Sequence, residues 1–214
     1  MNLARANVLC VIGHPDDETI GCGGTLARAA EQGAKIRVLL PMTRTDPRGV
    51  AHWPALLSQL RAAADCLGGE AVVPDDVMTE DDCEQTGRLH ELVVPHVEWA
   101  DVVFAHWRGD VHQVHRAVSR SVEIATRPFR RRRTVALFEV PTSTDQAYVD
   151  TFSPNTWVLL ERGHVDRKLR AMAQYVTEHD PGRAPDDLLR KLESRGRQVG
   201  TTYAEAFVLT RHFV

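Results

Sequence analysis

Short apolar runs alternate with longer helix-like stretches along most of this chain. The strand-like runs are Val8–Ile12, Ile36–Leu40, Val102–Ala105, Thr134–Val140 and Trp157–Leu160, with Ala204–Leu209 as a last short strand or docked tail. The helix-like stretches are Thr25–Gln32, Leu56–Leu67, Val114–Ile124, Val165–Val176 and Pro185–Arg195. Such alternation is typical of a mostly parallel sheet covered by helices on both faces. The pattern predicts an α/β fold with its ligand site at the carboxyl ends of the strands.

Length and charge restrict the function classes. The 214 residues are enough for one sizeable domain, so we predict a single domain spanning residues 1–214. The formal charge of −3 argues against a general nucleic-acid binder. The start of the chain lacks the features of a signal peptide, and no stretch approaches the roughly 18 apolar residues that span a bilayer. The four cysteines contain no C-x-x-C pair and are interpreted as reduced thiols, which makes a cytoplasmic protein the expectation.

The segment IGHPDDE directly follows the first strand-like run and places three acids together. A helix start favours carboxylates, so capping by Asp16, Asp17 or Glu18 is one interpretation. Capping explains one acid, but it explains neither three acids in a row nor His14. A cation between the acids would remove their mutual repulsion.

A dinucleotide site is a second interpretation, because Gly21, Gly23 and Gly24 follow the first strand. The phosphate-binding fingerprint requires G-x-G-x-x-G in the turn itself, where this chain has HPDDE. Leu26 stands at the third-glycine position, and three acids would repel a pyrophosphate. The pattern therefore disfavours a dinucleotide.

A metal site agrees better with these residues. His14 and Asp17 are three positions apart, so one tight turn can direct both side chains to the same point. The segment after the strand VVFA offers His106, His112 and His115 as further ligands. Two histidines and one carboxylate form a set that Zn²⁺ uses when one coordination position stays open for water, which marks a catalytic metal.

The remaining histidines have no partner at ligand spacing within a strand-end motif. We treat them as ordinary polar residues: His52, His90, His96, His164, His179 and His212. His106 ends a strand next to the site. For His106 we favour contact with the metal ligands over direct binding of the metal.

The ordered motifs resemble the LmbE-like (PIG-L) family of zinc-dependent N-acetylglucosaminyl deacetylases. The resemblance rests on His14-Pro15-Asp16-Asp17-Glu18 with the following TIGCGGT, and on GDVHQVHR at 109–116. Weaker matches are FEVPTST at 138–144, FSPN at 152–155 and YAEAF at 203–207. The resemblance implies a Rossmann-like three-layer sandwich fold. It also implies hydrolysis of an N-acetyl group, usually on an N-acetylglucosamine unit.

The resemblance also implies roles for individual residues. His14, Asp17 and His115 would hold Zn²⁺, although Fe²⁺ can occupy the same ligands. Asp16 would be the general base, and His112 would polarise the carbonyl or act as an acid, with a structural polar role as its alternative. Candidate substrate contacts are Trp107, Arg44 and Asp110. The partner would be a small amino-sugar conjugate, without nucleic acid or a membrane span, and a homo-oligomer is compatible with the sequence.

Three departures from the family pattern affect the substrate rather than the reaction. Val114 stands where many relatives have an acid before the ligand histidine, and an R-x-x-E pair reads as Leu56 and Gln59. A DNRMD-like motif is replaced by DDVMT at 75–79. The alternatives therefore stay open: a metal-dependent amidase for a longer acyl chain or a non-sugar amide, or a non-catalytic sugar- or nucleotide-binding relative. The arginines at 130–133 form either a solvated loop or a rim for an anionic substrate.

Overall fold

A seven-stranded sheet forms the centre of the protein, in a computed structural model that describes residues 1–178 and 182–213, except for the side chain of Arg48. The strands are β1 (Asn7–Val11), β2 (Lys35–Leu39), β3 (Met42–Thr43), β4 (Glu70–Val72), β5 (Met78–Thr79), β6 (Val102–His106), β7 (Thr134–Phe138), β8 (Thr156–Leu160) and β9 (Tyr203–Arg211). The sheet order is β4-β2-β1-β6-β7-β9-β8, and β3 pairs with β5 in a separate ribbon. The first five strands of this order are parallel, whereas β9 runs antiparallel to both β7 and β8.

Helices cover both faces of the sheet. They are α1 (Asp17–Glu31), α2 (Pro47–Leu67), α3 (Thr86–Trp99), α4 (Gln113–Ala125), α5 (Arg162–Met172) and α6 (Pro185–Arg197). One apolar cluster joins the sheet to α1, α2, α5 and α6, and a second joins the opposite face to α3 and α4. The predicted α/β sandwich with a mostly parallel sheet is confirmed. No helix in the described ranges is long and apolar enough to cross a membrane.

The structure differs from the predicted elements mainly where local signals are weak. α1 begins at Asp17, eight residues before the predicted start, because the glycines that weaken its helical signal are needed for close packing. α2 begins at Pro47, where Asp46 accepts a hydrogen bond from Gly49 N–H and caps the helix. The sequence pattern does not predict α3 or the short strands β3, β4 and β5.

The glycines of α1 allow neighbouring elements to approach the helix closely. A Cβ at Gly21 would lie 2.2 Å from the Phe138 ring, and a Cβ at Gly24 would lie 2.4 Å from Leu160. Phe138 is fully buried and packs against His106, with ring centroids 4.7 Å apart. Close packing therefore accounts for glycines that superficially resemble a phosphate-binding loop.

Gly21→Ala is expected to lower the free energy of unfolding by about 1–3 kcal/mol, because the added methyl overpacks the site against Phe138. Gly163→Ala is the matched control, since a Cβ there meets nothing within 4 Å. Urea denaturation of both variants tests the prediction. Equal stabilities would contradict it.

A buried ion pair also anchors α1. Lys168 Nζ lies 2.6 Å from Glu205 Oε1 and donates to the carbonyl of Ile20 at 2.8 Å. Glu205 accepts the backbone N–H groups of Gly24 and Thr25 at 2.9 and 2.7 Å. Both charges are therefore paired and further hydrogen-bonded, which offsets the cost of burying them. The pair links α1 to α5 and β9, which holds the helix that begins at the HPDDE turn.

Candidate metal centre

The HPDDE turn lies at the carboxyl end of the central strand. β1 pairs with β2 on one side and with β6 on the other, so the chain connections diverge at this point. In open parallel sheets, such a divergence leaves a crevice outside the strand ends. His106 ends β6, and the loop after it carries the second group of histidines. The two histidine-bearing segments therefore meet across one crevice.

The structure brings together the three side chains predicted as metal ligands. His14 Nδ1 lies 3.1 Å from His115 Nε2 and 3.5 Å from Asp17 Oδ2, and the latter two atoms are 3.4 Å apart. Ligand atoms about 2.0–2.1 Å from one tetrahedral Zn²⁺ are separated by about 3.3–3.4 Å. The three donor atoms therefore have the mutual spacing of ligands on a single small cation.

His115 is held by a carboxylate on its other nitrogen. Its Nδ1 lies 3.2 Å from Asp110 Oδ1, and the hydroxyl groups of Ser143 and Thr144 also donate to Asp110. Burial alone would lower the pKa of His115, but the charges of Asp17 and Asp110 outweigh it and raise the pKa to about 9. Asp110 is buried and already fully hydrogen-bonded, so it orients His115 from within the protein.

His14 also has a carboxylate partner, and the sequence analysis missed it. Glu80 follows β5 directly, and its Oε2 lies 3.3 Å from His14 Nε2. The hydrogen bond with His14 outweighs partial burial and lowers the pKa of Glu80 to about 2. The available signal was the acidic run Glu80–Asp82, which directly follows the segment that departs from the family pattern.

His106 lies against the predicted ligands, and its Nε2 makes other interactions. Its ring stacks on that of His115, with centroids 3.9 Å apart and planes 10° from parallel. Its Nε2 accepts the backbone N–H of Gly13 at 3.0 Å and lies 3.3 Å from Asp17 Oδ2. Burial lowers the pKa of His106 to about 4, so the ring is neutral near pH 7. Because Gly13 uses the Nε2 lone pair, this nitrogen is a poorer ligand than the corresponding atom of His115.

Asp16 has the strained backbone and the unpaired oxygen expected of a reactive group. Its φ is +110°, which non-glycine residues rarely adopt, and its side chain is buried. Oδ2 pairs with Arg183 Nη1 at 3.3 Å, whereas Oδ1 has no hydrogen-bond partner among the described residues. Burial and the neighbouring Asp17 raise the pKa of Asp16 well above its usual value. Asp16 makes no side-chain cap on α1, so capping does not account for it.

His112 lies at the open side of the centre and is the N-cap residue directly before α4. Its ring stands edge-on to that of His14, with centroids 4.6 Å apart. Its Nδ1 accepts the N–H of Val114 at 3.3 Å, which leaves the proton of a neutral ring on Nε2. Burial and the nearby charges of His14 and His115 lower the pKa of His112 to about 4, so the ring is neutral near pH 7. Any donation from His112 therefore comes from a neutral Nε2–H rather than from an imidazolium.

The third acid of the motif points away from the ligands. Glu18 accepts hydrogen bonds from Tyr175 and Thr19 at 2.7 and 2.6 Å, and burial raises its pKa to about 7. It therefore helps to pack α1 against the segment after α5. The three carboxylates of HPDDE therefore lie in three different environments.

These residues fit a divalent cation. Two groups of three side chains have candidate ligand atoms that lie within 4.8 Å of one another, and both groups contain His115. One group adds His14 and His112, and the other adds Asp17 and His106. The buried Oδ1 of Asp17 lacks a hydrogen-bond partner in the described part of the chain. The pKa of Asp17 lies well below its usual value, because the neighbouring histidines outweigh burial. An ionised carboxylate beside imidazole nitrogens is a donor set for Zn²⁺ or Fe²⁺.

The candidate substrate contacts Arg44 and Trp107 lie in different environments. Arg44 is held between Asp46, at 2.8 Å, and Glu178, at 3.3 Å. Trp107 follows β6, stands edge-on to Phe152, and lines a groove of about 330 Å³ between α4 and β9. Their substrate contacts stay predictions. His179 lies outside the described residues.

The arginine-rich segment lies far from the crevice. It precedes Thr134, the first residue of β7, and therefore lies at the amino ends of the strands. Arg131 pairs with Glu98, and Arg133 donates to the carbonyls of Val97 and Glu98 at the end of α3. The five residues of β7 separate the two ends by about 13–16 Å. The hypothesis of an anionic-substrate rim is wrong for this segment.

Comparison with known families agrees with the motifs. Residues 9–126, more than half of the chain, match the profile of the PIG-L family, described as GlcNAc-PI de-N-acetylase. The chain belongs to the PIG-L family. The matched range includes His14, Asp17 and His115, and so contains all three predicted ligands of this PIG-L chain.

A curated relative matches only part of this PIG-L chain. The 1D-myo-inositol 2-acetamido-2-deoxy-alpha-D-glucopyranoside deacetylase of Rhodococcus erythropolis is 40% identical over 70 residues. The match covers 32% of this chain and 23% of that enzyme, so it spans less than a quarter of the relative's length.

Solved structures share the fold over nearly the whole chain. N,N'-diacetylchitobiose deacetylase from Pyrococcus horikoshii is 20% identical, with a TM-score of 0.70 over 96% of this chain and 84% of that one. The 4-carboxy-2-hydroxymuconate hydratase GalB from Pseudomonas putida KT2440 is 19% identical, with a TM-score of 0.72 over 98% of each chain. The same fold therefore carries both an amide hydrolase and a hydratase, and the reaction must be argued from the site.

Proposed function

We propose that the protein is a metal-dependent N-deacetylase that acts on an N-acetylglucosamine-type amino-sugar conjugate. The observation that carries the proposal is the convergence of three donor atoms within 3.1–3.5 Å, beside the buried Asp16 Oδ1, which has no hydrogen-bond partner among the described residues. Family membership supports the hydrolysis of an N-acetyl group. The partial match to an amino-sugar deacetylase supports the substrate class.

His14, Asp17 and His115 would hold the cation, with Zn²⁺ or Fe²⁺ as the ion. When bound, such an ion lowers the pKa of a coordinated water and polarises an amide carbonyl. Asp17 contributes the negative charge of the set, and the two histidines contribute one neutral nitrogen each. Metal binding therefore competes with protons at His14 and His115.

Asp16 is the proton carrier in this proposal. Asp16 directly precedes Asp17 in sequence, but its side chain projects differently, and its Oδ1 is available for a water proton. The carboxylate accepts a proton from the attacking water and passes it to the amide nitrogen as the C–N bond breaks. The products are acetate and a free amine. Arg183 holds the other carboxylate oxygen, which limits the rotation of Asp16.

His112 donates a hydrogen bond to the oxyanion of the tetrahedral intermediate. The donor is the neutral Nε2–H, because Nδ1 is used by the Val114 N–H. A single donor at such a position can contribute up to about 3 kcal/mol. Val114 carries no carboxylate, and its backbone N–H is the partner of the His112 Nδ1.

The test is a screen for released acetate and free amine. The wild-type protein is expected to release acetate from N-acetylglucosaminyl conjugates, and a strong chelator is expected to abolish the activity until Zn²⁺ or Fe²⁺ is restored. A panel of N-acyl sugars with increasing chain length distinguishes a deacetylase from an amidase for longer acyl groups. Activity that survives complete removal of metal would contradict the proposal.

A further inference from the structure

Glu80 reaches the metal centre from a part of the chain that carries no histidine motif. It follows the ribbon strand β5, and 66 residues separate it from His14. Its Oε2 lies 3.3 Å from His14 Nε2, and its side chain is only 14% exposed. The contact therefore joins the β3–β5 ribbon to the first ligand of the centre.

The Glu80 carboxylate is itself held in one orientation. Oε1 accepts the backbone N–H of Thr45 at 2.7 Å, which leaves Oε2 directed at the imidazole. The adjacent Asp81 uses its carboxylate differently: it is exposed and accepts the hydroxyl of Thr45 at 2.9 Å. Two neighbouring acids thus contact the same threonine, but only Glu80 contacts His14.

The two ring nitrogens of His14 face opposite environments. Nδ1 faces Asp17 and His115, the other two proposed ligands, whereas Nε2 faces Glu80. A carboxylate on one nitrogen favours the tautomer with its proton there, and leaves the lone pair on the other nitrogen. Asp110 acts in the same way on His115, but on Nδ1, so the two rings would bind through opposite nitrogens.

We propose that Glu80 is a positioning residue that fixes the ring orientation and the Nε2–H tautomer of His14, so that Nδ1 is presented to the cation. The inference rests on the proposed metal-dependent function. Glu80 contacts neither substrate nor the reacting atoms in this role. Its effect is on metal affinity, and catalysis changes only through the metal.

The experiment compares Glu80→Gln with Asp81→Asn in the full chain. Each substitution removes one negative charge at neighbouring positions. Only the first replaces the carboxylate that faces His14 by an amide, whose single acceptor oxygen cannot serve both the Thr45 N–H and His14 Nε2–H. The dissociation constant for Zn²⁺ is measured by competition with a chromophoric chelator. Glu80→Gln is expected to weaken Zn²⁺ binding by about 10–100-fold, the usual effect of losing a carboxylate behind a ligand histidine. Asp81→Asn is expected to match the wild type.

A spectroscopic measurement separates positioning from a general structural effect. In the Co²⁺-loaded wild type, His14 Nε2–H and His115 Nδ1–H are expected as two shifted, solvent-exchangeable proton resonances. Glu80→Gln should lose the first by fast exchange and keep the second. Should Glu80→Gln fold poorly, Glu80→Asp, which keeps the charge on a shorter side chain, provides the same two measurements.

The results distinguish failure of the Glu80 role from failure of the proposed function. Equal Zn²⁺ affinity in Glu80→Gln and Asp81→Asn, or two unchanged proton resonances, would overturn the role of Glu80 and leave the proposed function intact. A wild-type protein that binds no divalent cation would instead overturn the proposed function itself. Weaker binding with loss of the His14 resonance alone supports the assignment.

Discussion

Asp16→Asn is expected to lower kcat by about 10²–10⁴-fold while the protein keeps its full metal content. The amide is nearly the same size as the carboxylate and can still face Arg183, so the turn should keep its shape. It cannot accept the proton of the attacking water, which is the step assigned to Oδ1. Steady-state kinetics on an N-acetylglucosaminyl conjugate, with elemental analysis of the same sample, measures both quantities.

Asp65→Asn, on the exposed face of α2, is the control for replacing an aspartate elsewhere. It should leave kcat and metal content unchanged. Near-full activity of Asp16→Asn would remove the base assignment. Loss of metal in that variant would make Asp16 a ligand instead.

His115→Ala is expected to deplete the metal and to abolish detectable turnover. His115 is shared by both groups of candidate ligands and is buried between Asp17 and Asp110, so its removal takes one donor from each group. The loss of affinity should exceed the roughly 100-fold upper range for removing an outer carboxylate partner. Elemental analysis after gel filtration, and Zn²⁺ competition titration, measure the effect.

His106→Gln is the paired variant for this prediction. A glutamine carbonyl can still accept the N–H of Gly13, so metal content should remain near that of the wild type. Full metal occupancy in His115→Ala, together with depletion in His106→Gln, would identify His106 as the ligand and reject the proposed set.

Much of the fold follows from local patterns. Apolar runs of strand length and helices between them predict the parallel core, and six of the strand-like runs coincide with β1, β2, β6, β7, β8 and β9. The prediction is weakest where local signal and tertiary packing conflict. The start of α1 is such a place, because glycines that disfavour a helix are required where Phe138 and Leu160 approach.

Part of the predicted ligand set is visible in the sequence, because His14 and Asp17 are close along the chain. His14 and Asp17 share one turn, and His115 lies in a loop that must reach the same end of the sheet. Parallel strands bring their carboxyl ends to one edge, so the strand order alone lets these segments meet. Residue spacing therefore predicts a metal site at this edge, and the family resemblance selects His115 among the histidines that follow β6.

Only the tertiary structure decided which acids support these ligands. Glu80 reaches His14 because the β3–β5 ribbon folds against the crevice, and no spacing along the chain connects the two residues. Asp110 is buried against His115, and the arginines at 130–133 lie at the opposite end of the sheet. A sequence motif identifies side chains that act together within one turn or loop. Contacts between distant segments depend on how whole elements pack, and that information is spread over the entire chain.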